Sequence, residues 1–266
     1  MAKFSMPMIA RSAAPGFVGA ALMVAPLALN AAVISDDFDA GFATWNATVT
    51  PSESSITFTS AAQSPFDNDV NSGIRLVRGV QPSNPQAVPN TLGLSNNFAN
   101  QTTTTYVQFD VRFGAGAKNP AFQLTSSGTQ AVLMHLRGST GGTVQNRTSS
   151  AFESVGGITP ANDTWYRYTY TLDYAADTYD FRIQSLESTD LDVSVNDIVF
   201  RNAVSGVNGA KFIFNIGDTD TQGGSYDMDN FLLTTNAGEL NFAVIPEPQS
   251  ALFGALGVLL FLRRRR

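Results

Sequence analysis

The chain has 266 residues, with 16 Lys and Arg against 22 Asp and Glu, a single His and no Cys. Without cysteine there is no disulfide, thiolate zinc cluster or cysteine nucleophile, and no Gly-x-Ser-x-Gly elbow marks an activated serine. Six of the 16 basic residues (Lys3, Arg11 and Arg263 to Arg266) but only Glu247 of the 22 acidic ones lie at the two ends; residues 33–243 therefore keep ten basic and twenty-one acidic side chains, a net charge near −11 that repels nucleic acid.

Lys3 and Arg11, the apolar run from Phe17 to Leu29 and the small residues Ala31 and Ala32 read as a secretory signal peptide over 1–32, with cleavage expected after Ala32. The alternative, an uncleaved anchor, asks for about 20 apolar residues, and this run is shorter. The chain beyond Ala32 is expected to cross the inner membrane.

Residues 33–243 then alternate apolar and polar side chains in short runs. The spacing predicts strands over 56–60, 73–79, 106–113, 121–126, 131–137, 165–174, 179–186, 197–201, 210–216 and 228–235. The clearest is YVQFDVRF at 106–113, where Val107, Phe109, Val111 and Phe113 share one face and Gln108, Asp110 and Arg112 the other. WYRYTYTLDY at 165–174 repeats the pattern and leads through a short turn into YDFRIQSL, which predicts a hairpin. Hardly a window supports an amphipathic helix. The fold class is all-β, an antiparallel sandwich of two sheets, flanked by an N-terminal signal helix and a C-terminal apolar helix. SDDFDAGFATW, the central hairpin and GGSYDMDNFLLTT together resemble concanavalin-like and carbohydrate-binding jelly rolls, which implies a glycan-related role but no particular chemistry.

On the hairpin, one face must be core, and Tyr166, Tyr168, Tyr170 and Tyr174 are expected there; a glycan surface would then use the other face, with Arg167, and Trp165 at its edge. Further along, Asp218, Asp220, Gln222 and Asp229 fall at calcium-loop spacing around Gly223, although Gln and Asp replace stronger ligands. Jelly-roll modules often pin their first and last strands with calcium, which would instead pair Asp37 or Asp39 with Asp229. Structural calcium is the expected cofactor, if any. For catalysis, Glu53, Glu153, Glu187 and Glu239 are too scattered to form the carboxyl pair of a glycosidase. A uronate lyase needs a cation and a proton carrier, and Arg112, His135 and Arg137 are the candidates.

The C-terminus closes with Pro246-Glu247-Pro248, an apolar stretch from Ser250 to Leu262, and Arg263, Arg264, Arg265 and Arg266, which would stop transfer on the cytoplasmic side. This order of elements over 244–266 resembles the PEP-CTERM sorting signal of Gram-negative bacteria. The resemblance implies a transient inner-membrane anchor, removal of the tail by an exosortase-type protease, and release to the cell envelope or extracellular matrix among exopolysaccharide. The expectation is an exported protein that binds glycan or builds matrix without catalysis. A lyase or glycoside hydrolase on the same fold, or a surface protein without glycan ligand, are the alternatives.

Overall fold

The computed structural model describes residues 33–38, 44–49, 55–62, 64–65, 73–78, 91–117, 119–138, 142–188, 191–215 and 224–241. The segments expected as a signal peptide (1–32) and a sorting signal (244–266), and Asp39, Asp218, Asp220 and Gln222 of the expected calcium sites, lie outside these residues.

Strands and turns make up the described residues, and the only helical elements among them are 3-10 turns at Ser60–Ala62 and Ala237–Glu239. In chain order the strands begin with β1 (Ile34–Asp36), β2 (Asn46–Val49), β3 (Ser55–Thr59), β4 (Gly73–Arg78) and β5 (Thr91–Gln101). Next come β6 (Thr105–Phe113), β7 (Pro120–Ser126), β8 (Thr129–His135), β9 (Gln145–Arg147) and β10 (Phe152–Ser154). The chain closes with β11 (Trp165–Asp173), β12 (Thr178–Ser185), β13 (Asp192–Val199), β14 (Val207–Asn215) and β15 (Gly224–Thr234). All pairings are antiparallel. Sheet A runs β13-β12-β11-β6-β15-β4-β3, and sheet B runs β10-β9-β8-β7-β14-β5-β2. Because β6 pairs along one side of β15, β4 and β1 share its other side end to end, β4 at residues 224–228 and β1 at 231–233.

Alternation decides which face is core. On β6, Val107, Phe109, Val111 and Phe113 are fully buried between the sheets, and Tyr166, Tyr168 and Tyr170 of β11 join them. Phe109 of sheet A meets Phe122 and Phe212 of sheet B at ring-centroid distances of 4.7 and 4.8 Å. The core tyrosines also tie the sheets through hydroxyls that would be costly to bury unbonded. Tyr168 donates to the Leu136 carbonyl at 2.9 Å, Tyr170 to Met134 Sδ at 3.2 Å and Tyr179 to Asn146 Oδ1 at 2.8 Å.

The first turn is organised by Asp36. Its Oδ1 accepts from the Phe38 amide at 2.9 Å and its Oδ2 from Trp45 Nε1 at 2.9 Å, which holds Phe38 at φ 60, an unfavourable value for an aromatic residue. Burial raises the Asp36 carboxyl above its ordinary 3.8, against the opposing hydrogen bonds. A carboxyl raised on folding binds protons more readily in the native state, so its contribution to stability falls as pH rises from 3.8 through the raised value. Asp36→Asn removes the titrating group while keeping one of the two acceptors, and is expected to flatten that part of a Tm-against-pH curve at a lower overall Tm. Asp36→Ala, which loses both acceptors, is expected to cost about 1–3 kcal/mol at every pH.

Candidate functional site

Sheet A turns its second face away from the core, and strand register arranges that face in rows. The first row reads Arg75 (β4), Asp227 (β15), Arg112 (β6), Trp165 (β11). The second reads Asp229 (β15), Asp110 (β6), Arg167 (β11), Gln184 (β12), Asp192 (β13). The third reads Leu232, Gln108, Thr169, Arg182, Ser194. Strands lie about 4.8 Å apart, so neighbours within a row are in side-chain reach.

In the first row Asp227, 4% exposed, holds two guanidiniums at once. Arg75 approaches through Nε at 2.7 Å and Nη2 at 2.9 Å; Arg112 approaches the same carboxylate through Nε at 3.0 Å and Nη2 at 2.5 Å. The Arg112 guanidinium also sits 5.1 Å from the centroid of the Trp165 ring, a cation–π contact.

The second row contains a fully buried ion pair. Arg167 grips Asp110 in bidentate fashion, Nε to Oδ1 at 2.7 Å and Nη2 to Oδ2 at 2.8 Å, with side chains 3% and 0% exposed. Asp229 faces Asp110 directly, and Ser64 bridges them: its amide donates to Asp229 Oδ2 and its hydroxyl to Asp110 Oδ2, both at 2.7 Å. Asn230 completes the set. A bulge in β15 places it at φ 52, a conformation Asn tolerates, and its Nδ2 donates to Asp110 Oδ2 at 2.9 Å.

Two passing segments lie over this face. The turn after β3 supplies Ser64 and also the Ala61 carbonyl, which accepts from Nη2 of Arg75 and of Arg112. Near the other end of the face, Asn241 accepts at its carbonyl from Arg167 Nη1 at 2.7 Å and donates its amide to Gln108 Oε1 at 3.0 Å. Gly73 makes the first crossing possible, because a Cβ there would stand 1.9 Å from the Ala62 carbonyl oxygen. Gly73→Ala is therefore expected to lift the turn from β4 at a cost of about 1–3 kcal/mol. A lower Tm with faster proteolytic cutting near residues 60–65 would register it.

Beyond the crossings the face opens in two places. A cavity of roughly 390 Å³ is bounded by Asp37, Gln108, Arg167, Asn230, Glu239 and Asn241, among others. A shallower groove of roughly 160 Å³ crosses β11, β12 and β13 between Thr169, Thr171, Asp180, Arg182, Ser194 and Asn196. In the groove Arg182 donates to Asp192 from Nε at 2.8 Å and Nη2 at 2.7 Å, and this lowers the Asp192 carboxyl below its ordinary value.

Several residues singled out in the sequence are placed differently from expectation. Arg112 lies on the outer face of sheet A, whereas His135 lies on the outer face of sheet B, stacked 3.9 Å from Phe152. Arg137 follows β8 and donates to Asn162 Oδ1. The core stands between Arg112 and His135, so the three do not converge on one substrate. Trp165 and Arg167, expected as an exposed glycan surface, are 2% and 3% exposed. Trp165 lies under Arg112, and Arg167 is held in the ion pair, bordering the cavity without projecting as an exposed side chain. Asp229 accepts at Oδ2 from the Ser64 amide and at Oδ1 from the Asn230 amide, while its expected calcium partners Asp39, Asp218, Asp220 and Gln222 lie outside the described residues. Asp110, Asp227, Arg75, Ser64 and Asn230 were not foreseen. The alternation of 106–113 assigned Asp110 to the polar face, but its partners lie 57 and 120 residues away.

No protein-family model matches the sequence, and no curated protein matches it. Solved structures share the fold. The catalytic domain of the glycoside hydrolase family 131 protein from Coprinopsis cinerea aligns with a TM-score of 0.53 at 12% identity, over 80% of this chain and 97% of that one. The catalytic domain of a family 131 β-glucanase from Podospora anserina gives 0.52 at 11% identity, over 77% and 92%. A conserved carbohydrate esterase from the Shiga toxin-encoding bacteriophage phi24B gives 0.50 at 10% identity, over 78% and 100%. At such identities the likeness establishes the jelly-roll sandwich and nothing finer.

Proposed function

We propose that this is an exported glycan-associated protein whose sandwich binds polysaccharide through the outer face of sheet A without cleaving it. The observation that carries this reading is the 390 Å³ cavity, where carboxylates (Asp37, Glu239) and amides (Asn230, Asn241) stand together. Such a mixture suits sugar hydroxyls, which donate and accept at once. The non-catalytic half is supported by the neighbouring carboxylates. Asp110 takes four donors, two from Arg167 and one each from Ser64 and Asn230, and Asp227 takes two guanidiniums. A carboxylate so committed is poorly placed to pass a proton or attack a sugar. The fold similarity to carbohydrate-active catalytic domains makes glycan the natural ligand class, by analogy.

On the same reading, residues 1–32 direct export. The PEP-CTERM-like segment 244–266 anchors the chain in the inner membrane until an exosortase-type protease removes it, and 33–243 then works in the envelope or matrix. The test incubates the full-length chain with neutral and uronate polysaccharides and follows both retardation in glycan gels and polymer length. Retardation without shortening is expected. Shortening would replace the binding reading with a hydrolase or lyase, and absence of both would leave a surface protein without glycan ligand. Mass spectrometry of the native protein addresses sorting separately: a C-terminus still ending at Arg266 would sink the processing claim.

A further inference from the structure

Resting on the glycan-binding reading, we propose that the Arg75 and Arg112 pair is a subsite for a carboxylate-bearing sugar, so that the preferred polymer is an acidic one containing uronate. Arg75, Arg112 and Arg167 balance Asp110, Asp227 and Asp229 in number but not in depth. Asp110, Asp227 and Asp229 are 0%, 4% and 0% exposed, while the side chains of Arg75 and Arg112 are 33% and 25% exposed. A ligand approaching this end of the face therefore meets guanidinium edges, with the compensating carboxylates behind them.

Those edges have donors to spare. Arg75 and Arg112 use Nε and Nη2 on Asp227 and on the Ala61 carbonyl; the Nη1 group of each donates to no protein acceptor among the described residues. The shared Asp227 brings the two guanidiniums together, and Trp165 supports one of them from below. Two planar cations pre-positioned around one point match a carboxylate, which accepts from several N–H groups at once. The net charge near −11 of residues 33–243 works against any polyanion at a distance. That opposition is screened beyond about 8 Å at physiological ionic strength, whereas contact with the guanidiniums is not. A neutral polymer offers these donors only hydroxyl oxygens, weaker acceptors than a carboxylate, and gains less from them.

The experiment uses the full-length chain in affinity gels containing polygalacturonate, its methyl-esterified form, dextran and dextran sulfate at about 0.15 M salt. Polygalacturonate is expected to retard the protein at least tenfold more strongly than the methyl ester. Arg75→Gln, at the more exposed end of the row, is expected to remove most of that preference with Tm nearly unchanged, while Arg112→Gln removes it with some loss of stability. Equal retardation by the acid and the ester, or a preference that survives Arg75→Gln at full strength, overturns the subsite; retardation by dextran sulfate alone overturns it as a carboxylate site. In each of those cases binding of any glycan leaves the broader function standing. No retardation by any polymer overturns both.

Discussion

Arg167→Met is expected to lower the unfolding free energy by about 3–5 kcal/mol, a large fraction of what a domain of this size possesses. The reason is not the strength of the pair but what remains when one member leaves. Asp110 is fully buried and receives two of its four donors from Arg167. Its remaining donors, Ser64 Oγ and Asn230 Nδ2, are neutral, so the carboxylate would be stranded beside Asp229 with no cation in contact. Loss of the guanidinium also frees the Asn241 carbonyl, leaving the Asn241 amide on Gln108 Oε1 as the remaining tie among the described residues. The companion measurement is the double variant Asp110→Leu with Arg167→Met. Replacing both members by apolar groups removes the stranded charge, so the double variant is expected to recover part of the loss. If urea titration finds the double variant as unstable as the sum of the singles, the stranded-charge account is wrong and packing alone sets the cost.

This ion pair also marks where sequence reading reaches its limit. Alternation is a local property, and it located both central strands: 106–113 became Thr105–Phe113, and 165–174 became Trp165–Asp173. It placed Tyr166, Tyr168 and Tyr170 in the core and Asp110 on the other face. It missed β5, because Ser95, Asn96 and Asn97 interrupt the apolar pattern that Leu92 and Leu94 begin. It began β13 five residues late, since that edge strand is exposed along most of its length and has little pattern to read. The candidate site was harder still. Rows such as Arg75, Asp227, Arg112 and Trp165 exist only once the strands are in register, and register is set by the whole sheet. Alternation puts Trp165 and Arg167 on the face away from the core, but the turn at Ser60–Ala62 and the segment at Asn241 cross that face. Arg112 and His135 both face outward on their strands, but the strands belong to different sheets.

Phe109→Ala is expected to cost about 3–5 kcal/mol, comparable with loss of Arg167 but by a different route. Phe109 sits at the middle of β6 and meets five rings: Tyr168, Tyr170 and Phe231 in its own sheet, Phe122 and Phe212 in the other. It is thus the ring through which the two sheets interlock, and truncation leaves a hole bordered by aromatic groups that cannot collapse without moving strands. Phe109→Leu, which refills part of the volume, is expected to lose clearly less. The contrast between the two sites separates core from face. Phe109→Ala should lower stability while leaving retardation by polygalacturonate unchanged at temperatures where the variant stays folded, because no atom of Phe109 reaches the outer face. Arg167→Met should disturb both, since it releases Asn241 beside the cavity. A Phe109→Ala protein that is folded but has lost glycan retardation would mean that the outer face depends on core packing across β6, and the division of labour between the two faces of that strand would have to be abandoned.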